Sequence, residues 1–269
     1  MRNNPREIRK AGNDRSRYAL LLAVLLGICF FLAAAVATAA ESQLLLRMLE
    51  AADAAYQGVQ GYTSIMLSTE RIGETLEPEK IVLLKFQRPF KVYMRWTNGS
   101  TKGREGLYVA GEHDGRFLIA ESNGLSKFFT AFLDTRDPRV MAQSRHPVTD
   151  LGIGRLLEIV GENARRGIRA NVLRVEDHGA TRVAGRPVRE IEGVLPRDPD
   201  LGYYAYRVRL FFDEENHLPI RVIVDDWGDR MVEDYTYSQL RLNPGFTNRD
   251  FDPHNPEYGF NKWRIPLTR

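Results

Sequence analysis

Runs of aromatic and β-branched residues, separated by short clusters of turn residues, restrict the folds open to this 269-residue chain. In one run Val208, Leu210 and Phe212 share one side of an extended strand, while Arg207 and Arg209 share the other. Such alternation with a period of two is typical of antiparallel strands that have one buried and one solvated face. It predicts an antiparallel meander built from four stretches: YTSIMLSTERI, KIVLLKFQRPFKVYMRW, GLYVAGEHDGRFLIA and the segment from Tyr206 to Leu242.

Two segments have the spacing of helices instead. In residues 42–59 apolar side chains recur at steps of three and four, which predicts an amphipathic helix ending at Gly58 or Gly61. A second helix is predicted at about residues 150–164, between two groups of strands. Because no repeat or low-complexity linker separates the groups, we predict one domain over residues 40–269, of the α+β class and mainly antiparallel β. A strongly curved sheet of about ten strands, with the helices on its concave side, accommodates these patterns.

The first 39 residues have the features of an export signal. Six arginine and lysine residues precede an uncharged apolar run at residues 19–36, and the small residues Ala37 and Ala39 follow it. This order is typical of a secretory signal peptide that is cleaved after Ala39. The alternative is an uncleaved membrane anchor, because about 18 apolar residues can just span a bilayer. In both cases residues 40–269 lie outside the cytoplasm, since the positive charge stays inside.

Charge and cysteine content exclude several functions for residues 40–269. The first 39 residues hold six of the 38 basic and two of the 35 acidic side chains, which leaves 32 basic and 33 acidic ones. Overall basicity therefore gives no support for nucleic-acid binding, and no nucleic-acid partner is predicted. Cys29, the only cysteine, lies in the apolar run, so residues 40–269 have no thiol for a disulfide, a zinc site or a nucleophile.

The sequence lacks the common motifs for catalysis and cofactor binding. It has no G-x-S-x-G elbow, phosphate-binding P-loop, H-E-x-x-H helix or dinucleotide fingerprint, so we predict a non-enzymatic protein without a cofactor. The pairs Asp225-Asp226 and Glu233-Asp234 could form a carboxylate cluster for general acid/base catalysis, although a solvated hairpin is the favoured interpretation. The five histidines are far apart and lie mostly beside turn residues, which predicts exposed loop positions.

A possible metal loop lies near the C terminus, where Asn248, Asp250 and Asp252 have the alternate spacing of calcium ligands. Pro253 stands where an EF-hand loop needs a glycine, and no glutamate occupies the last position of such a loop. We therefore predict no metal site. The proline-rich stretch 241–260 is interpreted as a folded end to the last strand, because each X-Pro bond stops a ladder.

Aromatic residues are concentrated in the middle of the chain, both in strands and in a proline-bounded segment too short for a regular core helix. Core packing explains any one of them. The functional alternative is an apolar cavity for an acyl chain, covered by the aromatic segment. The candidate cavity residues are Phe86, Tyr93, Trp96, Phe117, Phe128, Phe132 and Leu133.

Two stretches resemble a known family. FQRPFKVYMRW, residues 86–96, resembles the F-x-R-P-x-x-(F/Y)-R-W strand of LolA/LolB-like periplasmic lipoprotein carriers, and residues 213–252 resemble a later hairpin and ending of that family. In element order the resemblance covers about residues 41–260, and it indicates an uncharacterised family of exported bacterial proteins. It implies an unclosed β-barrel with helices over the open side, a periplasmic location and an interior that shields lipid chains. It also implies that Arg95, in the R-W strand, anchors a lid over the cavity.

The resulting prediction is an exported, periplasmic, non-enzymatic protein that binds a lipid or the acyl chains of a lipoprotein, with transient membrane contact. If the signal is not cleaved, the protein is anchored in the inner membrane. An envelope interaction or scaffold module, with a filled core and no small ligand, is the alternative function. A hydrolase that uses the acidic hairpin is a third hypothesis.

Overall fold

The computed structural model describes residues 39–260 and 264–266. Residues 1–38 of the predicted signal segment, including Cys29, lie outside the described residues. In the part of the chain that is described, no helix is both long and apolar enough to cross a membrane.

The chain divides into two compact units, Met1–Leu44 and Leu45–Arg269. In the first unit, residues 39–44 are helical. In the second unit, helix α1 covers residues 45–57, which confirms the helix predicted from the apolar spacing in this region. Everything described below belongs to the second unit.

A large sheet forms most of the second unit. Its strands are β1 Gly61–Ile72, β2 Thr75–Leu76, β3 Lys80–Gln87, β4 Lys91–Trp96, β5 Glu105–Val109, β6 Phe117–Ala120, β7 Thr130–Leu133, β8 Arg174–Val183, β9 Arg186–Val194, β10 Arg207–Asp213, β11 Pro219–Asp225, β12 Met231–Leu242 and β13 Arg264–Pro266. Their order is β13-β7-β6-β5-β4-β3-β1-β12-β11-β10-β9-β8, with β2 paired to the end of β1. Within the described residues β13 and β8 do not pair with each other, so the sheet is open.

Strand pairing confirms the predicted mainly antiparallel fold, since only β13 and β7 pair in parallel among the described strands. The sheet has more strands than the ten expected, because several of them are too short to give a visible period in the sequence. The first strand, β1, pairs with β3 on one side and with the late strand β12 on the other. This long-range pairing places Glu70 directly opposite Glu233.

Two helices lie between β7 and β8: the short α2, Pro138–Met141, and α3, Ile153–Arg169. We call residues 138–152 the crossing segment and the face of the sheet beneath it and α3 the inner face; the opposite face is the outer face. The inner face, the crossing segment and α3 together enclose a cavity.

Helix α3 begins three residues later than the sequence predicted, because Gly152 interrupts the chain with a φ of +115°. A Cβ atom at this position would lie 3.1 Å from the Phe86 ring and 3.2 Å from the Tyr62 hydroxyl. The backbone N–H of Ile153 donates a hydrogen bond of 3.1 Å to the same hydroxyl. Glycine therefore allows the start of α3 to approach the inner face closely.

The C-terminal segment, residues 246–260, packs on the outer face. Phe251 and Phe260 are buried there against apolar side chains of β4, β5 and β6. The former calcium candidate Asp250 closes a capping box with Thr247 and accepts a hydrogen bond of 2.8 Å from Lys85. Its carboxylate thus stabilises a turn that holds the segment to the sheet.

Candidate functional site

A cavity of about 480 Å³ lies between the inner face and the helices. Its volume falls within the range of small-molecule sites, and apolar side chains form most of its wall. The sheet supplies Val82, Trp96, Phe117, Ile119, Val208, Val222 and Val224, and the helical side supplies Val140, Leu151, Leu156, Ile159 and Val160.

Three of the predicted cavity residues line this space: Trp96, Phe117 and Leu133. They come from β4, β6 and β7 and share the inner face. Gly106 on β5 makes room for two of these rings, since a Cβ atom there would lie 2.7 Å from the Phe117 ring and 3.3 Å from that of Trp96. Phe86 also points to the inner face, but it stacks on Tyr62 with ring centroids 5.1 Å apart and does not line the cavity.

The predicted positions of Tyr93, Phe132 and Arg95 are wrong. Tyr93 lies on the outer face, where it stacks on Tyr258 with ring centroids 4.0 Å apart, and Phe132 packs against the same outer cluster. Arg95 shares the phase of Tyr93 and lies 4.0 Å from Glu105, with half of its side chain exposed. On a strand only every second residue reaches a given face, so Arg95 cannot anchor a lid over the cavity.

Phe128 was also predicted to line the cavity, but its side chain is 51% exposed. The neighbouring Phe129, which is 38% exposed, does line the cavity. These two residues follow β6 and lie in the loop that leads to β7. The aromatic segment thus borders the cavity at the protein surface and does not fill its interior.

Two buried carboxylates of the inner face hold the crossing segment. Glu70 accepts hydrogen bonds from the Ser144 hydroxyl at 3.2 Å, from the Arg145 backbone N–H at 3.1 Å and from the Tyr235 hydroxyl at 2.5 Å. Its second oxygen lies 3.5 Å from the Lys80 ammonium group. Glu70, on β1, therefore attaches the crossing segment to the inner face.

Glu233, the cross-strand neighbour of Glu70, binds the next part of the crossing segment. It accepts hydrogen bonds from Arg145 Nε at 2.9 Å and from the Tyr204 hydroxyl at 2.8 Å, and it lies 3.0 Å from His146 Nε2. Burial alone would raise the pKa of Glu233, but these partners, His146 foremost, lower it below its ordinary value. Burial and the charge of Glu233 raise the pKa of Tyr204, which keeps its hydroxyl a donor.

His146 was predicted to be an exposed loop residue, and this is wrong. Its imidazole is partly buried beside Glu233, Tyr204 and Arg145. Burial opposes the charged form, but the hydrogen bond and the negative charge of Glu233 raise the pKa of His146 above its ordinary value. The sequence contains a signal for the two acids but none for His146. Glu70 and Glu233 are charged residues at strand positions that alternate with the outer face, so they share the inner face with apolar residues.

The acidic hairpin does not form a catalytic carboxylate pair. Asp226 binds backbone N–H groups of its own turn and the side chain of Arg230, while Asp234 points to the outer face and pairs with Arg221 at 2.7 Å. Of the four acidic residues of this hairpin, Glu233 alone lines the cavity. The alternation of β12 thus separates the carboxylates that the sequence places side by side.

One group of described residues on β8 and β9 has the geometry of metal ligands: Glu176, His178 and Glu192 offer atoms within 4.8 Å of one another. Arg174 lies 3.0 Å from Glu176, and Arg207 lies 3.9 Å from Glu192. Both carboxylates thus have arginine neighbours that compete with a cation, and we assign no metal to the group.

The His146 and Glu233 pair predicts a specific pH dependence of stability. Because the pKa of His146 is raised on folding, its contribution is complete below its unfolded value of about 6.5 and is lost as the pH rises through the folded pKa. The lowered pKa of Glu233 contributes above about pH 4.5 and is lost as the pH falls through its folded value. We expect the free energy of unfolding, measured in urea, to fall from about pH 6 to pH 9 in the wild type and to fall less in His146→Gln. Parallel profiles of the two proteins would contradict this assignment.

The open antiparallel sheet and the apolar space beneath its helix define a cavity-containing protein with a single curved sheet. The chain belongs to the family described as protein of unknown function (DUF1571), whose pattern matches residues 59–260. No curated protein matches the chain. The family match confirms the predicted membership of an uncharacterised family, and the open, mainly antiparallel sheet confirms the predicted fold class.

Several solved structures are similar to this chain. MucB is 20% identical, with a TM-score of 0.44, and the match covers 79% of this chain and 62% of MucB. The lipoprotein LppX of Mycobacterium tuberculosis is 13% identical, with a TM-score of 0.47, 78% of this chain covered and 99% of LppX. A LolA superfamily protein from Nitrosomonas europaea is 10% identical, with a TM-score of 0.32, 77% of this chain covered and 96% of that protein. The chain therefore spans less than two thirds of MucB.

Proposed function

We propose that this protein is an exported, non-enzymatic binding protein that holds the acyl chain of a lipid or of a lipid-modified protein in the inner-face cavity. The cavity itself carries the proposal: about 480 Å³ of space is walled mainly by aliphatic and aromatic side chains. Each methylene group transferred from water into such a space contributes about 0.8 kcal/mol of favourable free energy. The rival scaffold function needs a filled core, and this cavity counts against it.

The crossing segment supports the same proposal, because it forms a wall that is attached through polar contacts. Glu70 and Glu233 bind it at Ser144, Arg145 and His146, whereas its apolar residues face the cavity. Separation of this wall from the sheet would break these polar contacts and expose Val148 together with the apolar lining of the cavity. Ligand entry would exchange these hydrogen bonds for bonds to water.

Uptake of an acyl probe tests the proposed function. Purified protein should bind a fluorescent fatty-acyl probe saturably and with a stoichiometry of one chain per protein. Ile119→Trp replaces an aliphatic side chain of β6 by an indole ring that projects into the cavity. We expect it to weaken probe binding by about tenfold or more because the apolar space is occupied. Leu83→Trp adds the same ring at an exposed position of β3 and should bind like the wild type. Equal binding by both variants, or no saturable binding by folded wild type, would reject the function.

Transient contact with a membrane is the second part of the proposal. Phe128 and Phe129 are both exposed at the border of the cavity, and Phe129 continues into its lining. Aromatic side chains are favoured at the boundary between headgroups and acyl chains. Because the two rings lie beside the cavity, their insertion would place the border of the cavity against the membrane from which a lipid ligand is taken.

Vesicle flotation tests this contact. The double variant Phe128→Ser, Phe129→Ser should float with phosphatidylglycerol and phosphatidylethanolamine vesicles several-fold less than the wild type, because the exposed rings no longer insert. Leu76→Ser, Leu83→Ser removes two leucines of similar exposure elsewhere on the surface and should leave flotation unchanged. If the two double variants float equally, these phenylalanines have no special role in membrane contact.

A further inference from the structure

A row of polar side chains follows one edge of the inner face, where the cavity wall changes from apolar to charged. Lys80 begins β3, Arg104 directly precedes β5, and Glu121 directly follows β6. The pairing of β3 with β4, β4 with β5 and β5 with β6 places these three residues along the same edge, and all of them line the cavity.

Lys80 and Arg104 carry more donor hydrogens than their protein partners use. Lys80 donates to the backbone oxygen of Gln143 at 2.6 Å, and Arg104 donates to the side-chain oxygen of the same residue at 2.6 Å. A second nitrogen of Arg104 lies 2.8 Å from Glu121. Among the described residues the buried Nε of Arg104 has no acceptor. An arginine fork and an ammonium group can both donate more bonds than these.

The acids that line the cavity, Glu70, Glu121, Asp150 and Glu233, all have donor or cationic partners, and the partner of Glu121 is Arg104. Glu70 accepts from three donors of the protein, and Glu233 binds Arg145, His146 and Tyr204. Asp150 lies 3.6 Å from Arg155. Lys80 and Arg104 line the cavity as cations with further donor hydrogens, whereas the lining carboxylates already have partners, so the group that a ligand could place at this edge is an acceptor.

We propose that the cavity selects acyl ligands that end in an anionic group, a carboxylate or a phosphate, and that Arg104 and Lys80 bind this group. The inference rests on the proposed function, because it places the chain in the same cavity. A planar guanidinium matches the oxygens of both groups, and hydrogen bonds between charged partners are stronger than those of a neutral hydroxyl. The apolar wall beyond Trp96 and Phe117 then receives the chain.

The test compares a pyrene-labelled fatty acid with the fatty alcohol of the same length. The wild type should bind the acid about tenfold more tightly than the alcohol, as expected for a charge-assisted hydrogen bond. The alkyl phosphate of the same length should behave like the acid. Inorganic phosphate should not displace the acid, because the chain supplies most of the affinity; displacement by millimolar phosphate would overturn the proposal in favour of a site for free anions.

Matched arginine variants locate the selectivity. Arg104→Gln should lose the preference for the acid and keep the affinity for the alcohol, whereas Arg95→Gln, on the outer face of the adjacent strand, should keep both. Equal binding of acid and alcohol by the wild type would overturn the selectivity and leave the proposed function intact. A parallel loss of both probes in Arg104→Gln would show a purely structural role and overturn the assignment. Failure of both probes to bind the wild type would reject the cavity function and this inference together.

Discussion

Replacing Glu233 by alanine should destabilise the protein by about 3–5 kcal/mol, the cost of removing one partner from a buried charged network. The change removes a buried carboxylate and leaves Arg145, His146 and the Tyr204 hydroxyl without their common acceptor. It also releases one of the two attachments of the crossing segment. Unfolding in urea, followed by circular dichroism, measures the difference.

The adjacent residue provides a matched control. Asp234 pairs with Arg221 on the outer face, where the solvent screens the interaction. Asp234→Ala should therefore cost less than about 1 kcal/mol. If both variants lost the same stability, the network around Glu233 would not be the attachment of the crossing segment that its geometry indicates.

The alternation of apolar and polar residues predicts the sheet well but determines the cavity only in part. Strands β1, β3, β10, β11 and β12 each lie in one of the aromatic and β-branched runs that predict the sheet. The predicted cavity residues are wrong where they rest on aromatic content without the alternation of side chains along a strand. Tyr93 and Trp96 are three positions apart on β4 and therefore lie on opposite faces. Trp96 lies on the same face of β4 as Met94 and Val92, two and four positions before it. The same alternation places Arg95 on the opposite face and excludes it from the cavity.

The attachment of the crossing segment could not be predicted, because it depends on which distant strands become neighbours. Tyr235 and Glu70 are separated by 165 positions in the chain and meet through the pairing of β1 with β12. The local alternation of residues does not indicate which residues of two distant strands lie opposite each other. His146 follows the same rule: its sequence neighbours indicate a turn, and only the approach of Glu233 gives it a partly buried, charged environment.

The outer face has its own core, which a variant in the C-terminal segment can test separately from the cavity. Phe251 is 3% exposed and packs with Phe246, whose ring lies 5.1 Å away, against the strands around Leu107. Deleting a buried phenylalanine ring typically costs about 3–5 kcal/mol, because transfer free energy is lost and a cavity remains.

Phe251→Ala should therefore lower the melting temperature strongly and leave acyl-probe binding by the folded protein unchanged, because the sheet separates this ring from the cavity. Phe128→Ala removes a ring that is half exposed and should change stability by about 0.5 kcal/mol or less. Both properties are measurable on one sample, by a thermal melt and by a probe titration well below the transition. A weaker probe affinity in Phe251→Ala at a temperature where the protein is fully folded would mean that the outer core and the inner cavity are coupled through the sheet. The C-terminal segment would then belong to the binding function as well as to the stability of the fold.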